Sequence, residues 1–433
     1  MKNLHLKKIT LSLVLALSLH ATETYTVDDL IIKAMELSPD LKVSSFNYQA
    51  TKSRYTQAKS EYLPSVDLHI SAGRGGMSNI PLNPDDMISD NIIIGSLTLK
   101  QLIYDFGQTA GKSDSFKYES DSSLSSHKQL ISDKRKNVRR AYYDTLKAIA
   151  LIGVHKENIK LNEAQLYRSQ RYFDAGIRTK IDISDAKVEL IKSNLDLKKS
   201  LYDLKLAYTT LDKAVGFTET TNDYKVYAQS LDLNNLYNSL TEYDLSLIES
   251  VDFAYKNRDE LKAYSSNIDS IEAQNRSIDA RYYPSIYFNA GYTKQELEEF
   301  KNKVPQDQWQ LYLNLDWNLY EGGLTDSLAQ EKRIQVNIAE SNLLYSKLSI
   351  KTVTTQAYLN LKKMKDSVEL SQSLLKVSQE KFKQASKRYE HGLSDFIELQ
   401  QARQGYIDTK AALVVDYYSY YSAIAVLDNA IGR

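Results

Sequence analysis

From Ser65 onward the chain alternates: Val66, Leu68, Ile70 and Ala72 take turns with Ser65, Asp67, His69 and Ser71. That period of two marks a strand with one apolar face. Ile286, Phe288, Ala290 and Tyr292 repeat the pattern against Ser285, Tyr287, Asn289 and Thr293. The strictest case faces Trp309, Leu311, Leu313, Leu315, Trp317 and Leu319 one way, with Gln310, Tyr312, Asn314, Asp316, Asn318 and Tyr320 the other. A fourth stretch opposes Leu97 and Leu99 to Ser96, Thr98 and Lys100, and Gln101 interrupts its apolar face. Strands are therefore predicted over about 65–74, 93–104, 285–294 and 309–320. The turns between them, 75–90 and 296–308, are polar and loop-like.

After each strand pair the period changes. Residues 107–174 and 324–391 contain no proline and predict two very long helices, each approaching 100 Å at about 1.5 Å per residue. Gly176 and Gly392 punctuate them, and second helices are predicted over about 179–215 and 394–430. Leu399, Ala402, Tyr406, Thr409 and Leu413 step by threes and fours, the spacing of a coiled-coil seam. Ahead of each strand pair lies a shorter helical stretch. Thr26 and Asp29 have the spacing of a cap, Ser38-Pro39 a helix junction, and Pro64 and Pro284 the change from helix to strand.

These elements occur twice. Tyr62-Leu63-Pro64-Ser65 returns as Tyr283-Pro284-Ser285 with the prolines 220 residues apart, and Asp40-Leu41 returns as Glu260-Leu261 at the same offset. Beyond the strands the offset is 216: Tyr104 matches Tyr320, Ala141-Tyr142 matches Ala357-Tyr358, Gly176 matches Gly392, and Val215-Gly216 matches Ile431-Gly432. The four-residue slip falls between the paired strands, where a loop absorbs it cheaply. Landmarks in one order at near-constant spacing define a duplication. The first repeat spans 22–216 and the second 245–433, with a polar segment at 217–244 predicted to be an irregular belt.

Composition narrows the class. Lys2, Lys7 and Lys8 precede an apolar run from Ile9 to Leu19, which predicts a signal peptide over 1–21. No later stretch offers the roughly 20 apolar residues of a spanning helix. The chain has no cysteine, and its six histidines (5, 20, 69, 127, 155, 391) form no i, i+4 pair. Charge balances at 55 basic against 55 acidic residues, which excludes a strongly basic nucleic-acid binder. No nucleophile–base constellation and no phosphate-cradling glycine loop with lysine stands out, so neither an enzyme nor a cofactor is expected. Tyrosine is abundant, at 32 residues, and suits polar–apolar boundaries.

Strands of about 10 residues with aromatics at both ends have the length and girdle of membrane β-strands. Trp309, Trp317 and Tyr320 are the interface candidates. Four strands cannot close a barrel, since the smallest known need about 8, and an open edge in hydrocarbon is costly. Subunits must then pool strands, and outer-membrane lipid becomes a partner. A coiled-coil adhesive stalk on a membrane anchor is the alternative. Against it, the strands are duplicated and interleaved with helices, and no separate head remains.

Strand pair, proline entry, long helix pair and duplication together resemble the outer-membrane efflux protein family, the TolC-like exit ducts. The most specific residues are Tyr62-Leu63-Pro64-Ser65, Tyr104-Asp105-Phe106-Gly107, the stretch from Phe173 to Ala186, and Asn429-Ala430-Ile431-Gly432. The resemblance implies a mainly α protein with a small β part. It implies a homotrimer whose pooled 12 strands form an outer-membrane barrel, continued by a periplasmic α-helical barrel. A passive exit duct for efflux or type I secretion, served by an inner-membrane transporter and a periplasmic adaptor, would follow.

The segment Gly176 to Ala186 is similar to that family's gate stretch. By that match Asp182 and Asp185 are constriction carboxylates and Arg178 a latch residue. In the best-known members this stretch lies in the second unit, whereas here it lies in the first. The second unit carries Gly392-Leu393-Ser394-Asp395-Phe396-Ile397-Glu398, which makes Glu398 a candidate partner of Arg178. Thr179 with Asp182, and Asp395 with Glu398, also have the spacing of helix-capping pairs. Phe173 and Tyr389, each three residues before a glycine, are expected to pack between helices.

Overall fold

The computed structural model describes residues 23–77, 88–218, 224–229, 231–297 and 307–433. The predicted leader and parts of both strand-connecting loops lie outside them. The first unit runs from strand β1 (Glu23–Tyr25) through helices α1 (Val27–Leu37) and α2 (Pro39–Ser60) to strands β2 (Ser65–Met77) and β3 (Ile88–Tyr104). Helices α3 (Gln108–Asp174) and α4 (Lys180–Val215) complete it. The polar segment between units holds strand β4 (Tyr224–Val226), paired parallel with β1, and a 3-10 turn at Tyr237–Ser239. The second unit comprises α5 (Leu247–Asn257), α6 (Asp259–Asp279), β5 (Ser285–Leu297), β6 (Asp307–Asp316), α7 (Leu324–Glu390) and α8 (Phe396–Ile431).

Local chemistry explains where the helices start. Thr26 and Asp29 cap α1 reciprocally, Ser246 and Glu249 do the same for α5, and α2 opens on Pro39, whose missing N–H is harmless in a first turn. Helices α3 and α7 are each 67 residues long, and α4 and α8 each 36. None of the described helices is long and apolar enough to cross a membrane.

The strands form one antiparallel sheet in the order β2-β3-β5-β6. Residues opposite one another share a face, and the register lines up the apolar ones. Leu68 opposes Leu97, Leu97 opposes Tyr292, and Tyr292 opposes Trp309. Val66, Leu99, Ala290 and Leu311 form the next row. One continuous apolar face therefore crosses all four strands and lies bare to the outside, with Leu68 at 69% and Leu313 at 72% exposure. The other face carries Asp67, Thr98, Asn289, Tyr312 and Asn314. Gln101, which interrupts the apolar pattern, opposes Phe288 and donates to the Tyr62 and Leu102 carbonyls at 2.8 and 2.7 Å. Its amide closes the helix-proximal end of the sheet.

β6 is shorter than the alternation predicts. Its last pair is Asp316 with Ser285, because the partner strand begins just after Pro284, which has no N–H to donate. Trp317 to Tyr320 consequently form a connector. Trp317 is held instead by its indole N–H, which donates to the Tyr282 carbonyl at 3.1 Å. Trp317 and Tyr320 thus join Tyr62, Tyr104, Phe106 and Tyr283 as exposed aromatics where the sheet meets the helices, and Tyr292 and Trp309 sit toward the other end. The nine steps from Tyr283 to Tyr292 span about 30 Å along the strand, about 25 Å of height at a usual barrel tilt.

The strand-to-helix turn holds one unusual backbone. Phe106 has φ 55°, in the left-handed region, ahead of Gly107 at 97°. The second unit puts Gly322 and Gly323 there, at 63° and 83°. Phe106 keeps its conformation because its ring stacks on Tyr283 at 5.2 Å and meets Tyr104 edge-on at 4.7 Å. Beneath it, the buried Asp105 carboxylate accepts from the Gly107 and Thr109 amides at 3.1 and 2.7 Å, capping α3. Phe106→Gly should therefore be more stable than Phe106→Ala by about 1 kcal/mol, the reverse of the usual order. Thermal melts of the two variants check this, and an alanine variant as stable as the glycine one would mean that the turn stores no strain.

The helices pack in rows. Near the sheet the row is α2-α3-α6-α7, and farther away it is α4-α3-α8-α7. The main core lies where the rows meet, around Leu30, Val138, Leu211, Val215, Ile350, Leu413 and Ile431, all at most 2% exposed. A second, small cluster of Ala186, Ala385, Tyr389, Phe396, Leu399 and Ala402 closes the far tip.

Candidate functional site: the helical tip

Two helix–turn–helix tips meet at the end farthest from the sheet. Each long helix ends on a glycine in the left-handed region, Gly176 at φ 71° and Gly392 at φ 72°. The Ile177 amide reaches back to the Tyr172 carbonyl at 2.8 Å, and the Leu393 amide to the Arg388 carbonyl at 2.8 Å. These bonds satisfy the last carbonyls and turn the chain sharply. A helix end that needs φ > 0 explains why glycine recurs there in both units.

Arg178 crosses from the first tip to the second. Its Nη2 donates to the Ser394 carbonyl at 2.8 Å, and its guanidinium lies 4.8 Å from the centre of the Tyr389 ring. Glu398 is not its partner within the chain. The Glu398 carboxylate pairs with Arg388 Nε at 3.1 Å, while a second Arg388 nitrogen donates to the Leu393 carbonyl at 3.3 Å. Arg388 lies ten residues before Glu398 across the same turn and outcompetes an arginine on the neighbouring hairpin. That pair is half exposed, so its contribution is about 0–1 kcal/mol. Arg168 and Glu390, 2.7 Å apart, tie α3 to α7 beside it.

The two caps also differ. Asp395 accepts from the Glu398 amide at 2.8 Å and caps α8. Thr179 makes no side-chain cap bond to α4. Asp182 is therefore not locked in a reciprocal cap. It is half-buried on the first turn of α4, one turn before the buried Ala186, and Asp185 is exposed. Neither carboxylate is in an ion pair among the described residues, so both remain available to a ligand or another subunit. Phe173 and Tyr389 part company too: Tyr389 is 1% exposed and Phe173 42%.

Sequence reasoning placed Tyr389 between helices, where it is buried, and missed Arg388 as a contact of the tip. Nothing in the residue pattern distinguishes Arg388, because Arg178 and Arg388 both choose backbone carbonyls that any residue supplies. The described residues hold no group of three or more His, Asp or Glu placed to bind a metal.

The fold is a duplicated one, an open four-stranded sheet with one continuous apolar face joined to a long helical shaft. The family model described as outer membrane efflux protein matches residues 30–217 and 251–433, once over each unit, and the chain belongs to that family. It is 25% identical to the outer membrane protein TolC of Vibrio cholerae serotype O1 over 198 residues, 45% of this chain and 44% of that protein. Its fold is similar to the CusC structure, described as forming a transmembrane channel, with a TM-score of 0.83, 15% identity, and 95% and 93% of the two chains covered. The Campylobacter jejuni CmeC outer membrane channel gives a TM-score of 0.82 at 16% identity, over 94% of this chain and 85% of that one.

Proposed function

We propose that three copies of this chain pool their sheets into a 12-stranded barrel in the outer membrane, continued by a helical duct into the periplasm. The assembly is a passive exit duct for efflux or type I secretion. The carrying observation is the sheet itself. Its apolar face is continuous, and both edge strands, β2 and β6, lack a second strand partner among the described residues. Those edges run in opposite directions, so β6 of one copy can pair antiparallel with β2 of the next, and a head-to-tail ring closes without a free edge. Three sheets of four satisfy the even strand count of such barrels.

The helices support the same ring. α4 and α7 end the lower row, and both carry exposed apolar stripes. On α4 these are Ile181, Val188, Leu195 and Tyr202, spaced by sevens; on α7 they are Leu359, Leu370, Leu374 and Val377. A neighbouring copy covers α4 with α7. The tips then converge on the axis, and Asp182 and Asp185 line the constriction. No nucleotide is bound by this chain. An inner-membrane transporter working through a periplasmic adaptor supplies the energy and selects the cargo.

Detergent-solubilised protein is expected to have the mass of three chains. In a planar bilayer it should give small, cation-selective events that divalent cations block. A monomer would overturn the shared barrel, and an inserted oligomer without conductance would favour an anchored stalk.

A further inference from the structure

Within the chain, β3 leads into α3 and α6 leads into β5, and these elements pack side by side where the two units meet. Their counterparts are β6 with α7, and α2 with β2, which end the sheet and the helix row on opposite sides. Gly111, Ser115, Ser270 and Ala273 are buried on α3 and α6. Their matched residues Ser327, Glu331, Ala50 and Ser53 are all exposed. One chain therefore carries both halves of a second such junction and joins neither.

The strands match as closely. Gln101 of β3 donates to the Tyr62 carbonyl at 2.8 Å, and its counterpart Trp317 donates to the Tyr282 carbonyl at 3.1 Å. Each carbonyl lies two residues before the proline that opens a strand. Ser65 pairs with Lys100 and Ser285 with Asp316, one register at the offsets of the duplication. β3 still runs on to Tyr104, because β5 accompanies it there on its other side. β6 stops at Asp316 with its other side bare.

We propose that β6 of one copy pairs with β2 of the next in the register of β3 with β5, which sets Asp316 opposite His69 of the next copy on the barrel's inner face. The proposal rests on the shared-barrel reading above. Leu99 opposite Ala290 becomes Leu315 opposite Ile70, and Leu97 opposite Tyr292 becomes Leu313 opposite Ala72. Lys100 opposite Asn289 becomes Asp316 opposite His69. Trp317 then meets Leu68, and β6 continues toward Tyr320 as its alternation predicts.

The apolar faces alone do not choose this register, since a slip of two residues keeps every side chain on its face. Asp316 and His69 do. Both are exposed, and neither side chain has a hydrogen bond or ion pair among the described residues. Directly opposed Cβ atoms lie about 4.5–5.5 Å apart, within reach of an imidazole N–H donating to a carboxylate. A slip one way sets Asp316 against Asp67, two like charges, and a slip the other way sets it against Ser71. The pair exists only between copies, so it specifies how the ring closes.

Cysteine pairs test the register, because the chain has no cysteine of its own. The full chain carrying Asn314→Cys with Ser71→Cys should, on oxidation, give two- and three-chain bands. These should be at least about tenfold stronger than those of the slipped pairs, Asn314→Cys with Gly73→Cys and Tyr312→Cys with Ser71→Cys. Asp316→Ala and His69→Ala should each speed dissociation of the oligomer in dodecyl sulfate at least about threefold, and the double variant no further. Exchanging the two, Asp316→His with His69→Asp, should recover the parent's rate. Stronger bands from a slipped pair, or alanine effects that multiply in the double variant, overturn the proposal. So does an oligomer of three-chain mass that links through none of the pairs. Should a cysteine variant not assemble, the alanine and exchange variants decide. A parent protein with the mass of one chain defeats the shared barrel itself, and this register with it.

Discussion

Replacing Asp182 and Asp185 together with alanine is expected to raise the half-blocking concentration of divalent cations at least about tenfold. In a ring of three copies the two positions place six carboxylates around one axis. A divalent ion about 8 Å from each gains about 1 kcal/mol per carboxylate even at the dielectric of bulk water. Competition from monovalent ions reduces that sum, so tenfold is the lower end. The effect is local, because neither side chain is in an ion pair among the described residues, and the variant should assemble like its parent. Block is read from single-channel records with divalent ions added to the helical side. Unchanged block in a correctly assembled variant would remove both residues from the pore. Single substitutions should divide the effect unevenly, since Asp185 is exposed and Asp182 half-buried.

Gly111→Val is expected to cost about 3 kcal/mol of stability and to weaken assembly. A Cβ at Gly111 would lie 2.6 Å from the Ser277 amide nitrogen and 2.7 Å from the Ala273 carbonyl oxygen, both main-chain atoms of α6. Main chain cannot rotate aside, so α6 would have to retreat from α3. That retreat breaks the bonds from Ser277 to the Gln108 carbonyl at 2.7 Å and from Ser270 to the Ser115 carbonyl at 2.9 Å. It also displaces the start of β5, which follows α6 after one short turn. Ser327 occupies the matched position of the second unit and already carries a Cβ, so Ser327→Val should cost far less. Thermal or denaturant unfolding of the two variants measures the difference. Equal losses would mean that the close approach of α3 and α6 is not what holds this seam.

Much of this protein was legible in its residues because the informative forces are local. Side-chain period fixes which residues of a strand share a face, so the apolar sets on β2, β5 and β6 were readable before any pairing was known. The absence of proline and the turn-making glycines bounded the helices, and Thr26 with Asp29 announced its own cap. The duplication was visible because both units solve the same local problems with the same residues, Gly176 and Gly392 foremost.

Tertiary structure decided what depends on a distant partner. The end of β6 at Asp316 is set by Pro284 on the opposing strand, not by the alternation that continues to Tyr320. That the four apolar faces merge into one follows from strand register, which long-range pairing selects. Arg178 and Arg388 divided their acceptors by reach, and both found main-chain carbonyls, which carry no sequence signal. Arg403 and Glu189, 3% and 8% exposed, lie on α8 and α4, far apart in the chain. Only the packing of four helices made them a buried pair, because burial belongs to the assembled core and not to either segment.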